Sequence, residues 1–240
     1  MTYTPARIKN HVPAERISSS CHQGLTTKLV RRPDVVLLVF LAAVTALAVT
    51  ATTREDAPRI VALGDSLTSG RGIGKADAYP AVLQARLEDD GYHYQVVNAG
   101  VSGDTTARAL QRYREALDGD VKVLIVALGA NDGLRGVPVE QLSSNLSMII
   151  EEAQHRDIAV LLIGMDALPL HGWTYSVAFH RAYEELAARY TIPLVPFVLM
   201  KVMTDPSLMQ SDRAHPNQAG ARAIADLIWP HLQPLLKKPE

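Results

Sequence analysis

Val121–Leu128 reads VKVLIVAL, and Gly129-Ala130-Asn131-Asp132-Gly133 follows it without a break. Apart from Lys122, every side chain in the run is apolar, with none of the alternation that a half-exposed strand shows. The run is short for a helix and rich in β-branched residues, so it reads as a strand covered on both faces. Such strands lie in the middle of parallel sheets. The glycine that ends this one marks the carboxyl edge, and two polar residues stand just beyond it.

The same rhythm extends in both directions. Upstream, Arg59–Leu63 and Tyr94–Asn98 are strand candidates. Between them Tyr79–Asp90 has a helical pattern, with Pro80 near its start and Gly91 beyond its end. A second helix is expected from about Thr105 to Leu117. Downstream, Pro138–His155 is helical, Ile158–Met165 is a strand, Tyr175–Tyr190 is helical and Ile192–Phe197 is a further strand. Asn217–Leu236 closes the chain as a helix behind Pro216. Strands alternating with helices imply parallel pairing through right-handed crossovers. The expected fold class is therefore α/β, a three-layer α/β/α sandwich around a five-stranded parallel sheet. Such sheets bind ligands beyond the carboxyl ends of their strands.

Four segments at or near those ends carry chemistry. They are Gly64-Asp65-Ser66-Leu67, Ser102-Gly103-Asp104, Gly129-Ala130-Asn131-Asp132 and Asp212-Arg213-Ala214-His215-Pro216. A serine hydroxyl needs a base to take its proton, and His215 is the candidate base. Asp212, three residues upstream, is placed to accept the Nδ1–H of His215 and to balance an imidazolium. A tetrahedral intermediate needs preorganised donors for its oxyanion. The backbone N–H groups of Ser66 and Gly103 and the side-chain amide of Asn131 suit that need. Each segment alone also has an ordinary reading. Gly-Asp-Ser is a common turn, Asp212 can be a cap, His215 a surface histidine, Asn131 a turn residue and Gly103 a loop glycine. Their joint position behind strands favours the chemical reading.

With these four blocks in this order, the sequence resembles the SGNH (GDSL-type) hydrolases, and among them the bacterial thioesterase I/lysophospholipase (arylesterase) type. The likeness runs from about Arg59 to Leu236. It implies a flavodoxin-like sheet and a serine hydrolase that cleaves carboxylic esters or thioesters, with no metal and no organic cofactor. By the same likeness Ser66, Asp212 and His215 would be catalytic, and Ser66, Gly103 and Asn131 would form the oxyanion hole. Asn131-Asp132-Gly133-Leu134-Arg135-Gly136 looks like that type's substrate-responsive loop, and Leu168-Pro169 like its acyl-groove segment. Asp65, Leu67, Asp132, Gly133, Leu134, Leu168 and Pro169 are accordingly candidate substrate contacts. After Pro169 the sequence departs from the type, reading Leu170-His171-Gly172-Trp173. Chain-length and head-group preference therefore do not carry over. A short-chain or sugar O-acetyl esterase and an acyltransferase share the triad chemistry and stay open, and a non-catalytic binding protein is a further alternative.

Other classes fit poorly. The α/β-hydrolase elbow is Gly-x-Ser-x-Gly, and Ser66 lies in Gly64-Asp65-Ser66-Leu67-Thr68. None of the eight histidines sits in a His-Glu-x-x-His pattern, so no metal site is expected. A formal net charge of −1 and 5% aromatic residues give no basis for nucleic-acid binding. Cys21 is the single cysteine, so no disulfide forms within the chain. Trp173, Tyr175 and Phe179 either line a pocket or form the buried face of a helix. His171 and His180 are assigned to packing or solvent.

The amino-terminal region has a separate character. Met1–Asp34 is polar and basic, with Lys28, Arg31 and Arg32 near its end. Val35–Ala51 is apolar and uncharged, at the short end of what spans a bilayer. Preceding basic residues favour a cytoplasmic amino terminus and export of the chain beyond the apolar run. The run is either a signal peptide or an uncleaved anchor, and it is the expected point of contact with the membrane. Thr52–Pro58 is read as a linker and residues 59–240 as an extracytoplasmic hydrolase domain.

Overall fold

The structure, a computed structural model, describes residues 57–238. The expected basic head and apolar run lie outside the described residues, as does the linker except for Ala57 and Pro58. Among the described residues no helix is long and apolar enough to cross a membrane.

The elements follow one another as β1 (Arg59–Gly64), α1 (Ser66–Ser69), α2 (Tyr79–Asp89), β2 (Gln95–Gly100), α3 (Thr106–Ala109), α4 (Tyr113–Ala116) and β3 (Val121–Ala127). Then come α5 (Ala130–Arg135), α6 (Val139–His155), β4 (Ala159–Ile163), α7 (Trp173–Tyr190), β5 (Leu194–Val195), α8 (Val198–Met203) and α9 (Gln218–Leu232). The sheet is five-stranded in the order β2-β1-β3-β4-β5. Every pairing is parallel. The run at Val121 is central, as its composition requires: β3 pairs with both β1 and β4, and Val123–Val126 are fully buried.

The step from β1 to β2 and the steps from β3 through β5 travel in opposite directions along the sheet. Right-handed crossovers then place α2 on one face and α6 and α7 on the other. The spacing of apolar residues agrees. In α6, Leu142, Leu146, Ile149, Ile150 and Ala153 are buried, a stripe at helical period. In α9 the buried set includes Ala221, Ile224, Ala225, Ile228 and Leu232. The α9 helix packs on α2, and α6 packs on α7. Within α7, Phe179 is buried, Tyr175 half-buried and Trp173 exposed, so only part of that aromatic stripe serves the core.

Several expectations need correction. The helix expected over Thr105–Leu117 is two short helices, α3 and α4, and the chain turns between them. Thr105 caps the first by accepting from the N–H of Arg108 at 3.4 Å. Arg112, at the break, directs its guanidinium back onto other segments. The strand expected over Ile192–Phe197 keeps only Leu194–Val195. Pro193 and Pro196 flank it without N–H groups to pair, and Phe197 turns away with φ 46°. The segment after β3, expected as a loop, is the helix α5, which starts behind Gly129 at φ 117°. The last helix ends at Leu232, and a 3-10 turn at Gln233–Leu235 around Pro234 follows.

Because β3 is closed in on both faces, truncating it leaves a cavity that neighbours cannot easily fill. Leu124→Ala is expected to lower stability by about 2–5 kcal/mol, read from urea denaturation. A loss under about 0.5 kcal/mol would mean that the strand is not packed as described.

Candidate active site

The strand order reverses between β1 and β3, the place where a parallel α/β sheet forms a crevice beyond the carboxyl ends of its strands. Gly64 and Ala127, the last residues of these two strands, stand opposite one another. The serine and asparagine segments therefore emerge side by side, although 65 positions of sequence separate Ser66 from Asn131.

Ser66 opens α1. Asp65, at the cap, accepts from the N–H of Leu67 at 3.0 Å, which orients the first turn. The turn presses so closely on the end of β2 that a Cβ at Gly100 would overlap the backbone of Thr68 and Ser69. Glycine is required at that contact.

His215 reaches the same crevice from the segment before α9. Asp212 shapes that segment by accepting from the N–H groups of Ala214 and His215, both at 3.0 Å. Its other oxygen meets Nδ1 of His215 at 2.7 Å, and Nε2 of His215 lies 3.0 Å from Oγ of Ser66. Gln210 braces the loop through the carbonyls of Arg71 and Pro216, at 2.7 and 2.8 Å. Asn217 caps α9 by accepting from Ala219 and Gly220. The donors on Asp212, first the N–H of Ala214 and then the imidazole, hold its carboxyl down at about 2. It is an ionised acceptor throughout the range in which an imidazole titrates.

The candidate oxyanion donors are tied to the serine segment by a less direct route. Gly103 is half-buried and bends with φ 81°. Asn131, half-buried on α5, donates from Nδ2 to Oδ2 of Asp65 at 3.0 Å and to the carbonyl of Asp104 at 2.9 Å. Both of its amide hydrogens are thus engaged within the protein. A substrate oxygen would have to share or displace one of these bonds, which the sequence does not reveal.

The candidate substrate contacts divide in two. Asp65, Asp132 and Gly133 are buried and face the protein. Asp65 holds Leu67 and Asn131. Asp132 accepts from the N–H of Thr106 at 2.9 Å and from its hydroxyl at 2.6 Å, and Asn145 donates to that hydroxyl at 2.9 Å. Gly133 packs under Ala167 and Phe179. In these positions the three brace the segments around Ser66 and Asn131. Leu67 is half-buried, whereas Leu134, Leu168 and Pro169 are exposed and remain accessible. His171 meets the carbonyl of Leu134 at 3.2 Å, and His180 pairs with Asp166 at 2.9 Å and stacks on Phe197. Both serve local packing. Among the described residues no group of three or more His, Cys, Asp or Glu side chains is placed to hold a metal ion. Thr106 and Arg112 are not legible as site residues in the sequence, since a threonine and an arginine in a helical pattern carry no signal of their own.

Comparison with known proteins identifies the family of the chain. The model of the GDSL-like Lipase/Acylhydrolase family matches residues 62–223. The chain is 39% identical to esterase TesA of Pseudomonas aeruginosa over 186 residues, covering 77% of this chain and 92% of that protein. It is 34% identical over 181 residues to thioesterase 1/protease 1/lysophospholipase L1 of Escherichia coli, covering 75% and 86%. Among solved structures, the crystal structure of TesA superposes with a TM-score of 0.71 at 38% identity, covering 74% of this chain and 99% of that one.

The carboxyl of Asp65 is pushed up from 3.8 to about 6, chiefly by burial, against the pull of its donors Leu67 and Asn131. A raised value means that the folded chain holds a proton that the unfolded chain releases. The associated stability is complete below about pH 4 and is lost as pH rises through 6, by up to about 3 kcal/mol. Wild type should therefore lose stability relative to Asp65→Asn between pH 4 and 7.5 in urea denaturation. Parallel profiles for the two proteins would remove Asp65 as a titrating group.

Proposed function

The chain belongs to the GDSL-like lipase/acylhydrolase family, the SGNH hydrolases, and is a hydrolase of ester bonds; we propose that it works by two-step acyl transfer through Ser66. The observation that carries this reading is the continuous line from Asp212 through His215 to Oγ of Ser66, with links of 2.7 and 3.0 Å. Ser66 attacks the carbonyl carbon while Nε2 of His215 takes the hydroxyl proton, and Asp212 balances the imidazolium. The oxyanion accepts from the N–H groups of Ser66 and Gly103 and from the amide of Asn131. Collapse expels the alcohol or thiol, which takes the proton from His215. Water then repeats the sequence on the acyl-enzyme and releases the acid.

The substrate we infer is an amphiphilic ester or thioester of the lysophospholipase and arylesterase kind. Its support is the apolar surface offered by the segments after β3 and β4. Leu134 is 57% exposed, Leu168 44%, Leu170 65% and Trp173 75%. Apolar side chains so exposed are suited to an acyl chain or the surface that carries one. The names of the relatives point the same way. Export to the extracytoplasmic side belongs to this reading, on the strength of the basic residues ahead of Val35–Ala51. The mass of the exported protein tests it: loss of residues 1–51 means a cleaved signal, and retention means an anchor.

Turnover of p-nitrophenyl esters from acetyl to palmitoyl is the direct assay, with Ser66→Ala expected to be inactive at every length. An optimum at long chains supports the amphiphile, and an optimum at acetyl assigns a short-ester substrate instead. Asp212→Asn should lower kcat by about 10⁴-fold by disturbing the tautomer of His215. Asn131→Ala should lower it by about 10²–10³-fold, and an unchanged kcat would remove Asn131 from the site.

A further inference from the structure

Arg112 stands at the break between α3 and α4, and its guanidinium joins three segments. Nε donates to Oδ2 of Asp104 at 2.7 Å, Nη1 to the carbonyl of Ala99 at 2.7 Å and Nη2 to the carbonyl of Gly64 at 3.0 Å. These are the ends of β2 and β1 and the residue after Gly103. Gly64 lies two positions before Ser66. The main-chain carbonyl of Asp104 accepts from Nδ2 of Asn131 at 2.9 Å. Each proposed oxyanion donor is therefore within two residues, or one hydrogen bond, of a group that Arg112 holds.

We propose that Arg112 is a positioning residue for the oxyanion hole, fixing the spacing between the Ser66, Gly103 and Asn131 donors. This rests on the reading of those three groups given above. Arg112 itself does not touch the reacting atoms, because its Nε, Nη1 and Nη2 are all directed at protein acceptors. A planar guanidinium can serve three acceptors in fixed directions, whereas an ammonium is a point charge on a flexible stem. Asp104 is 2% exposed and is the charge that keeps the guanidinium in place. Arg108 also approaches Asp104, at 3.4 Å, but it is more than half exposed and holds neither strand end. The rate depends on this spacing because a donor displaced by about 1 Å costs on the order of 10²-fold.

The test compares Arg112→Gln, Arg112→Lys and Asn131→Ala in steady-state turnover of a p-nitrophenyl ester, inhibition by an alkylboronic acid and thermal unfolding. The boronic acid becomes tetrahedral on Ser66 and so reports on the hole, while KM reports on the planar substrate. Arg112→Gln is expected to lower kcat by about 10–100-fold with KM changed less than about threefold. Its affinity for the boronic acid should fall by the same factor as kcat/KM. Arg112→Lys keeps a charge beside Asp104, so its melting temperature should stay near wild type while kcat stays low. In the double variant with Asn131→Ala the losses should combine to less than their product, as expected of groups acting through one site. Full kcat in Arg112→Lys, or a lowered melting temperature with normal kcat in Arg112→Gln, overturns the proposal and leaves Arg112 a structural residue. An unchanged kcat in Asn131→Ala overturns the oxyanion reading itself, and this proposal with it.

Discussion

Everything at the site depends on β1 being hydrogen-bonded between β2 and β3. With β2 on one side and the rest of the sheet on the other, the crossover helices that leave β1 and β3 lie on opposite faces. The crevice this opens receives the segments that come after both strands. Ser66 and Asn131 become neighbours because Gly64 and Ala127 are paired, not because of any local preference. His215 arrives from the far end of the chain, carried by a loop that Asp212, Gln210 and Asn217 hold rigid. A side chain on so long a connection would otherwise lose much entropy in meeting Ser66.

Three buried carboxylates have a shared position. Asp65 precedes Ser66, Asp104 follows Gly103 and Asp132 follows Asn131. All three are essentially inaccessible. Burying a carboxylate is costly unless donors replace the lost water. Here the donors come from other segments: Asn131 for Asp65, Arg112 for Asp104 and Thr106 for Asp132. The need to satisfy each carboxylate thereby ties one loop to another. Asp65 and Asp132 also have raised pKa values, with burial the largest cause of each. The frame around the crevice is polar and directional, and the hydrophobic layers beneath supply most of the stability.

The sequence is legible where a signal is local. Val121–Leu128 is a buried parallel strand by composition alone, and α2 and α6 run nearly over the spans expected for them. The sequence is not legible where a distant group decides the outcome. The helix after Gly103 breaks where the side chain of Arg112 reaches across to strand ends. Asp65 and Asp132 are expected as substrate contacts through the family resemblance, which carries no information on burial. Their burial and their internal donors come from the fold. The last strand shortened for a local reason that was in view, the prolines at 193 and 196.

By itself the sequence determined the order and type of most elements, the parallel sheet and the four segments that supply serine, glycine, asparagine and histidine. Those properties arise from periodicity, from turn residues and from side-chain chemistry, which travel with the residues themselves. Tertiary structure alone decided which carboxylates face solvent, where the amide hydrogens of Asn131 are spent and what Arg112 holds. These outcomes depend on strand order and on the donors that packing brings within about 3 Å. Hydrogen bonds and desolvation act only between groups that the fold has already made neighbours.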